Sequence, residues 1–428
     1  MRRGDCLFRT PKFYTLGMRP SRLVLPLFGL ALISSALAQS SPASSAGAGN
    51  DAEAKARADM FGSCGGVEAK TLPAGVLPGI YRGTLGQQAV TLELHGDGSQ
   101  EGQMAADRYA YDRYGLDIAL ERARPGNRTA ARALLLAESS LRDDADGSPY
   151  ARACLDLVGS GSGLSGQWRA PDSGRSLPLS LSRVNVAALP LALPSSPGLL
   201  ALRQKDPFTF LKLNRPWRRV AGGFRAPLSD VTYPRVAGGS PALNAALQDR
   251  QLSLAADALD CLSSPGFGGQ SHNDYSGAGI LSWKSPRLVS LHEEVEYYCG
   301  GAHPDNYTSG ATLDARSGRE VKLSGKPGTL WPGLSKTGLQ KLYLAGYPKD
   351  GADADGNSAE CLDVISTPEI STEYDNYTLY LTRAGLAMWP TYLPHVAGAC
   401  AEVVTVPYAS LRPLADPKSV YFRDLYSR

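Results

Sequence analysis

The chain of 428 residues carries 44 lysines and arginines against 41 aspartates and glutamates, a formal net charge of +3. Six of those basic residues and one acidic residue lie in the first 38, which leaves 38 basic against 40 acidic side chains in the remainder. That balance excludes the concentrated positive face that nucleic acid requires, so no nucleic-acid partner is expected.

Residues 1–38 read as a secretory leader: Arg2, Arg3, Arg9, Lys12, Arg19 and Arg22 precede the apolar run "LVLPLFGLALISSALA", and Ala36 and Ala38 supply the small-residue cleavage pattern. "RPSR" after Met18 makes that methionine an alternative start. No cysteine follows the cleavage site, which argues against a lipid anchor. After the leader no segment has the roughly 20 uninterrupted apolar residues of a membrane helix, since prolines break "LPLALPSSPGLLAL". The expected location is periplasmic or secreted. Cys6 leaves with the leader, and Cys64, Cys154, Cys261, Cys299, Cys361 and Cys400 remain, an even set that suits disulfides in an oxidising compartment. Their grouping favours Cys64 with Cys154, Cys261 with Cys299, and Cys361 with Cys400, because each pair then stays within one predicted unit. The absence of CxxC gives no support to a zinc knuckle or a thioredoxin-like site.

Residues 39–63 are mostly small and polar and are expected to be a flexible spacer. Residues 64–185 read as an all-β domain, a sandwich or open barrel: "AVTLEL" alternates, "DRYAYDRYGLDIAL" holds strand-forming aromatics split by a glycine, and "RALLLAES" is a buried strand. "GIYRG…VTLEL" and "GQWRA…LPLSL" resemble each other, as two meandering hairpins would. Residues 186–232 form a proline-rich connection in which "FTFLKL" reads as a short strand. From residue 233 to 428 the pattern is α+β, an antiparallel sheet packed on a helix. Ser240 and Pro241 open that helix as N-cap and first turn. "RLVSLHEEVEYYC", "ATLDARSGREVKL", "YTLYLTRAGLAMWP" and "EVVTVPYASL" supply strands, with a helical insert near "TLWPGLSKTGLQKLYLAGYP".

Two stretches of this half, "RLVSLHEEVEYYCGGAHPDNYTSGATLDARSGREVKL" and "LYLTRAGLAMWPTYLPHVAGACAEVVTVPYASLRPLA", resemble the RsiV-like family over about residues 233–415. That is the domain shared by the lysozyme-sensing anti-sigma factor RsiV and PdaC-type peptidoglycan deacetylases. The first stretch matches its strand, aromatic pair, Gly-Gly-Ala-His turn and Asp-x-x-[Ser/Thr]-Gly hairpin. The second matches its Gly-Leu turn, Pro-bearing loop and closing Pro-Tyr strand. The resemblance implies a fold and a binding habit in the cell envelope. It brings no activity, because the deacetylase metal ligands, including His-x-x-x-His, are missing here.

A strand over residues 288–299 places His292, Glu294 and Glu296 on one face and Val289, Leu291, Val295 and Tyr297 on the other. Glu293 then falls on the apolar side, where Arg287 or Lys322 is the expected partner; a buried acid of raised pKa is the catalytic alternative. The turn Gly300, Gly301, Ala302, His303 and Pro304 reads as architecture first and as a ligand groove second. His272, Asp274, His292, Glu294 and His303 lack a short-spacing metal motif, and "DGADADGN" at residues 350–357 lacks the calcium-loop register, so neither metal nor cofactor is expected. No Gly-x-Ser-x-Gly elbow occurs. The expected protein is non-enzymatic and binds a lysozyme-like muramidase or peptidoglycan through Gly300, Gly301, His303, Tyr307, Trp389, Tyr392 and His395. The alternatives are a glycan hydrolase built on Glu293 and the nearby histidines, and a structural envelope protein.

Overall fold

A computed structural model describes residues 46–96, 107–126, 133–141, 148–264, 273–301, 303–348, 358–366, 376–393 and 395–426. The leader, His272 and the acidic loop at residues 350–357 lie outside them. The fold is α+β.

Nine strands form the first sheet: β1 (Gly66–Glu68), β2 (Gly79–Leu85), β3 (Gln88–Leu94), β4 (Asp107–Tyr111), β5 (Ile118–Pro125), β6 (Ala133–Leu141), β7 (Pro149–Ser160), β8 (Gly163–Arg169) and β9 (Ser176–Arg183). Their order is β1-β5-β4-β3-β2-β9-β8-β7-β6, and pairing of β5 with β6 closes eight antiparallel strands into a barrel. Of the two expected forms it is the barrel that arises, closed rather than open, which leaves no long edge unpaired. Leu85, Leu92, Leu120, Leu136, Leu157 and Leu181 are among the buried residues that fill it, so it is a packed core. The two similar sequence segments are the β2–β3 and β8–β9 hairpins, which lie side by side through β2–β9 pairing. A Cβ on Gly83 would stand 1.9 Å from the Ser180 carbonyl oxygen, and one on Gly166 would stand 1.8 Å from that of Asp156. Both hairpins therefore depend on a glycine where strands approach closely.

Within the expected spacer, residues 46–63 instead form helix α1 (Ala46–Ser63). Met60 and Phe61 anchor it by packing with Ala123, Leu135, Ala137 and Ala151 around the Cys64–Cys154 disulfide. Arg57 ties it to Glu68 and Glu121. The connection is also more structured than its prolines suggest. "FTFLKL" is helical, in α3 (Pro207–Leu213), because Asp206 caps Thr209 N–H and Pro207 occupies the first turn. It follows α2 (Pro197–Lys205), capped by Ser196.

The second sheet runs β10 (Arg218–Val220), β11 (Gly223–Arg225), β12 (Thr232–Pro234), β13 (Asp274–Lys284), β14 (Leu288–Tyr298), β15 (Asp305–Asp314), antiparallel except for the β12–β13 contact. Helix α4 (Pro241–Ser263), capped by Ser240, packs Leu247, Leu254, Ala255 and Ala258 against the sheet residues Val289, Leu291 and Val295. "REVKL" makes only an isolated bridge, Leu313 to Glu320, instead of the expected strand. A third core around Trp331, Tyr343, Ile365 and Met388 joins α5 (Lys336–Gly346) and α6 (Ser358–Ser366) to a separate sheet of β16 (Tyr377–Leu381), β17 (Gly385–Pro390) and β18 (Val404–Pro407). Disulfides Cys261–Cys299 and Cys361–Cys400 complete the expected pairing. Among the described residues no helix is long and apolar enough to cross a membrane.

Candidate functional site

The stretch between β14 and β15 is a bend fixed from both sides. Cys299 follows β14 directly and is bonded to Cys261 at the end of α4. Gly300 has φ of 78°, the left-handed region that glycine enters without steric cost. Gly301 accepts a hydrogen bond from the Tyr298 hydroxyl at 2.9 Å, and a Cβ there would meet nothing within 4 Å. His303 is exposed, its Nδ1 lying 3.1 Å from the Pro304 carbonyl oxygen.

This bend rims a cleft of about 440 Å³ at the tip of β13–β15, lined by Asp274, Ser276, Glu296, Tyr298, Pro304 and Asn306 among others. Strand alternation adds Glu294 and His292 to the same face, where His292 Nε2 lies 3.1 Å from Glu294 Oε1. Asp274, Glu294 and Glu296 are exposed and have no lysine or arginine partner among the described residues. At the edge of the tip Tyr297 packs on Tyr275 and Tyr307, ring centroids 6.4 and 6.2 Å apart. Burial and the neighbouring Asp305 raise the Tyr297 phenol above its usual pKa, and burial with Asp257 and Glu293 nearby raises Tyr307. These phenols stay protonated at neutral pH, and that of Tyr297 donates to Asp305 at 3.3 Å.

Of the residues expected to bind, Gly300, Gly301 and His303 lie in the bend, whereas Tyr307 stands on β15 opposite Val295, on the face turned toward α4. Trp389 is half-buried on β17, opposite Thr378, whose hydroxyl reaches the Thr308 carbonyl at 2.9 Å. Tyr392 is turned into the third core, its hydroxyl bonded to Ile365 O at 3.0 Å and its ring on the edge of Tyr377. His395 opens a short 3-10 helix, and its side chain lies outside the described residues. Asp274, Glu296, Tyr298 and Asn306 are not among the residues expected to bind, although Asp274 is weighed as a metal ligand and Glu296 shares a face with His292 and Glu294. The shared face of His292, Glu294 and Glu296 was the available signal, but β13, which carries Asp274, did not read as a strand.

Glu293 is buried, as its place on the apolar face implies, but its partner is neither Arg287 nor Lys322. Arg250 of α4 donates to Oε1 at 2.9 Å, the Tyr233 hydroxyl donates to the same oxygen at 2.6 Å, and Ser309 donates to Oε2. Lys322 pairs with Glu320 instead, and the Arg287 backbone N–H with Asp424. His292 points through the opposite face and stacks on Tyr380, ring centroids 4.5 Å apart. His303 lies beyond the end of β14, which is itself roughly 17 Å along the strand from Glu293 at about 3.3 Å per residue. The structure therefore does not assemble an acid–base pair from Glu293 and these histidines. Among the described residues no group of three or more His, Cys, Asp or Glu side chains is placed to hold a metal ion.

No family model and no curated protein matches the chain. Among solved structures it is similar to a DUF3298 family protein from Pseudomonas aeruginosa PAO1, at 16% identity and a TM-score of 0.25, over 41% of this chain and 71% of that one. It is likewise similar to a DUF3298 family member from Bacteroides fragilis NCTC 9343, at 16% identity and a TM-score of 0.25, over 36% of this chain and 59% of that one. At those TM-scores neither likeness assigns a site or an activity.

Proposed function

We propose that this is an exported cell-envelope protein that acts by binding, and that the tip of β13–β15 engages a basic protein partner, a lysozyme-like muramidase. The observation that carries the reading is the set of carboxylates without a lysine or arginine partner among the described residues, Asp274, Glu294 and Glu296, on one face of the sheet beside Tyr298 and a disulfide-anchored bend. Complementary charge speeds encounter and selects partners, and tyrosine supplies contact area at low entropic cost. The same acidity disfavours peptidoglycan, whose stem peptides carry carboxylates of their own. Three disulfides suit an oxidising compartment.

The test is titration of the intact protein with a c-type lysozyme and, in parallel, with purified peptidoglycan while soluble fragments are measured. Saturable lysozyme binding that weakens as salt rises is expected, with no fragment release. Glu294→Lys combined with Glu296→Lys should lower the affinity at least tenfold at an unchanged melting temperature. Undiminished affinity in that double variant would remove the tip from the interface, and fragment release would end the non-enzymatic reading.

A further inference from the structure

The barrel has a second concavity that the tip does not involve. Pairing of β5 with β6 runs from Ala123↔Leu135 to Leu120↔Glu138 and stops there, so the strands part and a cleft of about 500 Å³ opens in the fork. Tyr111, Tyr114, Ile118, Glu138, Ser139 and Arg152 are among its walls. A bulge between Glu138 and Ser139 in the β6–β7 ladder lies at the base of this fork.

Glu138 is the unusual group. It is only 7% exposed, and it accepts from the Tyr109 hydroxyl at 2.8 Å and from Trp168 Nε1 at 3.3 Å, both on Oε2. Burial, reinforced by the charge of Glu138, holds the Tyr109 phenol well above its usual pKa, so it remains a donor. Oε1 takes neither bond, and Glu138 has no cationic partner among the described residues. The other acids of the cleft are already matched: Asp117 by Arg108 and Lys212, Glu121 by Arg57. A carboxylate withdrawn from water without a cation is costly, and a ligand cation relieves that cost. One carboxylate among aromatic rings is a poor cage for calcium or magnesium, which take several oxygens, but it suits an ammonium, which rings also attract. Arg152 is exposed at the rim, where water screens it.

We infer that the β5–β6 fork binds a small organic amine, with its ammonium on Glu138 and its carbon skeleton against Tyr111, Tyr114 and Ile118. Benzylammonium is the probe and benzyl alcohol its neutral counterpart. Each is titrated into the intact, disulfide-bonded protein and followed by calorimetry and tryptophan emission, with Trp168→Phe identifying the local signal. Saturable benzylammonium binding is expected, at least tenfold tighter than the alcohol, together with a tenfold or greater loss in Glu138→Gln. Should Glu138→Gln fold poorly, Tyr114→Ala, at a residue 56% exposed, should weaken benzylammonium severalfold at unchanged melting temperature. Equal affinity for the two probes, or no saturable binding of benzylammonium, would overturn the inference. Charge reversal at Glu294 and Glu296 should leave this binding unchanged, which separates it from the tip.

Discussion

Glu293 shows how a lone acid on a core-facing strand position is tolerated. Burial works against the Arg250 charge, yet Tyr233 and Glu293 hold its pKa above the usual value, and three donors surround the carboxylate. Arg250→Met removes the only cation of the group and should cost about 3 kcal/mol by urea denaturation, the scale for stranding one partner of a buried pair. Adding Glu293→Leu should recover most of that loss. If the double variant is no more stable than the single one, the pair contributes through something other than charge compensation. Inside the barrel, Asp107 poses the corresponding pH question. Burial alone would raise its carboxyl, but Arg122, donating from Nη2 at 2.8 Å, and His95 bring it below its ordinary value. The unfolded chain therefore takes up the proton first, at about pH 4. The stability that Asp107 contributes is complete above that pH and is lost as pH falls through the lower native value. Denaturation midpoints measured down to pH 2 should fall less steeply for Asp107→Asn than for the parent chain. Parallel slopes would exclude Asp107 from acid unfolding.

At the scale of elements, the Cys261–Cys299 bridge closes a segment of 38 residues and joins the end of α4 to the end of β14. Chain-entropy reasoning for a loop of that length gives about 4 kcal/mol, so the double Cys→Ser variant should lose about 3–4 kcal/mol in denaturant. It should also weaken binding at the tip, because the bend would keep Gly300 but lose its anchor. A loss in stability with intact binding would show that the bend orders itself. This bridge, the Ser240–Pro241 helix start and the alternation of β14 were legible in the sequence because each is set by nearby residues or by simple periodicity. Strand β13 was not, since Gly277 and Gly279 interrupt its pattern. Those glycines instead admit Leu254 and Tyr233, a Cβ on Gly279 falling 2.5 Å from the Tyr233 ring. The alternation in "FTFLKL" mimics a strand, and the stronger cue, for helix α3, is Asp206 before Pro207. The acid cluster of the tip was half legible: Glu294 and Glu296 share a face by period alone. Asp274 joins them only through pairing across strands, as Arg250 reaches Glu293 only through packing.

Across the whole molecule, residues 48–428 form one compact unit, and a charged seam helps to explain why. Arg108 on β4 meets Glu93 at 2.8 Å and Asp117 and Asp206 at 2.9 Å, with its guanidinium 4.6 Å from the Phe208 ring of α3. Lys212, only 5% exposed, pairs with Asp117 and lies 4.6 Å from the same ring. Ser263 of α4 accepts the Asp117 backbone N–H at 2.9 Å, and Arg215 donates to the Asp112 carbonyl at 2.7 Å. The barrel and the helices beside it should therefore unfold together, in one calorimetric peak. Asp117→Asn takes away the anion that both cations share and leaves Lys212 charged in a buried site, a change that should cost about 3 kcal/mol. It should also split the peak in two, as the barrel is released from α3 and α4. Burial already lowers the Lys212 pKa against the pull of Asp117, and without that carboxylate it should fall further. The native lysine then gives up its proton before the unfolded one does, so the variant gains stability as pH rises through the native value. The gap between Asp117→Asn and the parent chain should accordingly be narrower at pH 9 than at pH 7. A gap that is constant with pH would assign the loss to the hydrogen bonds of Asp117 instead of the stranded charge, and a parent chain that already shows two peaks would mean that the seam does not couple the two parts.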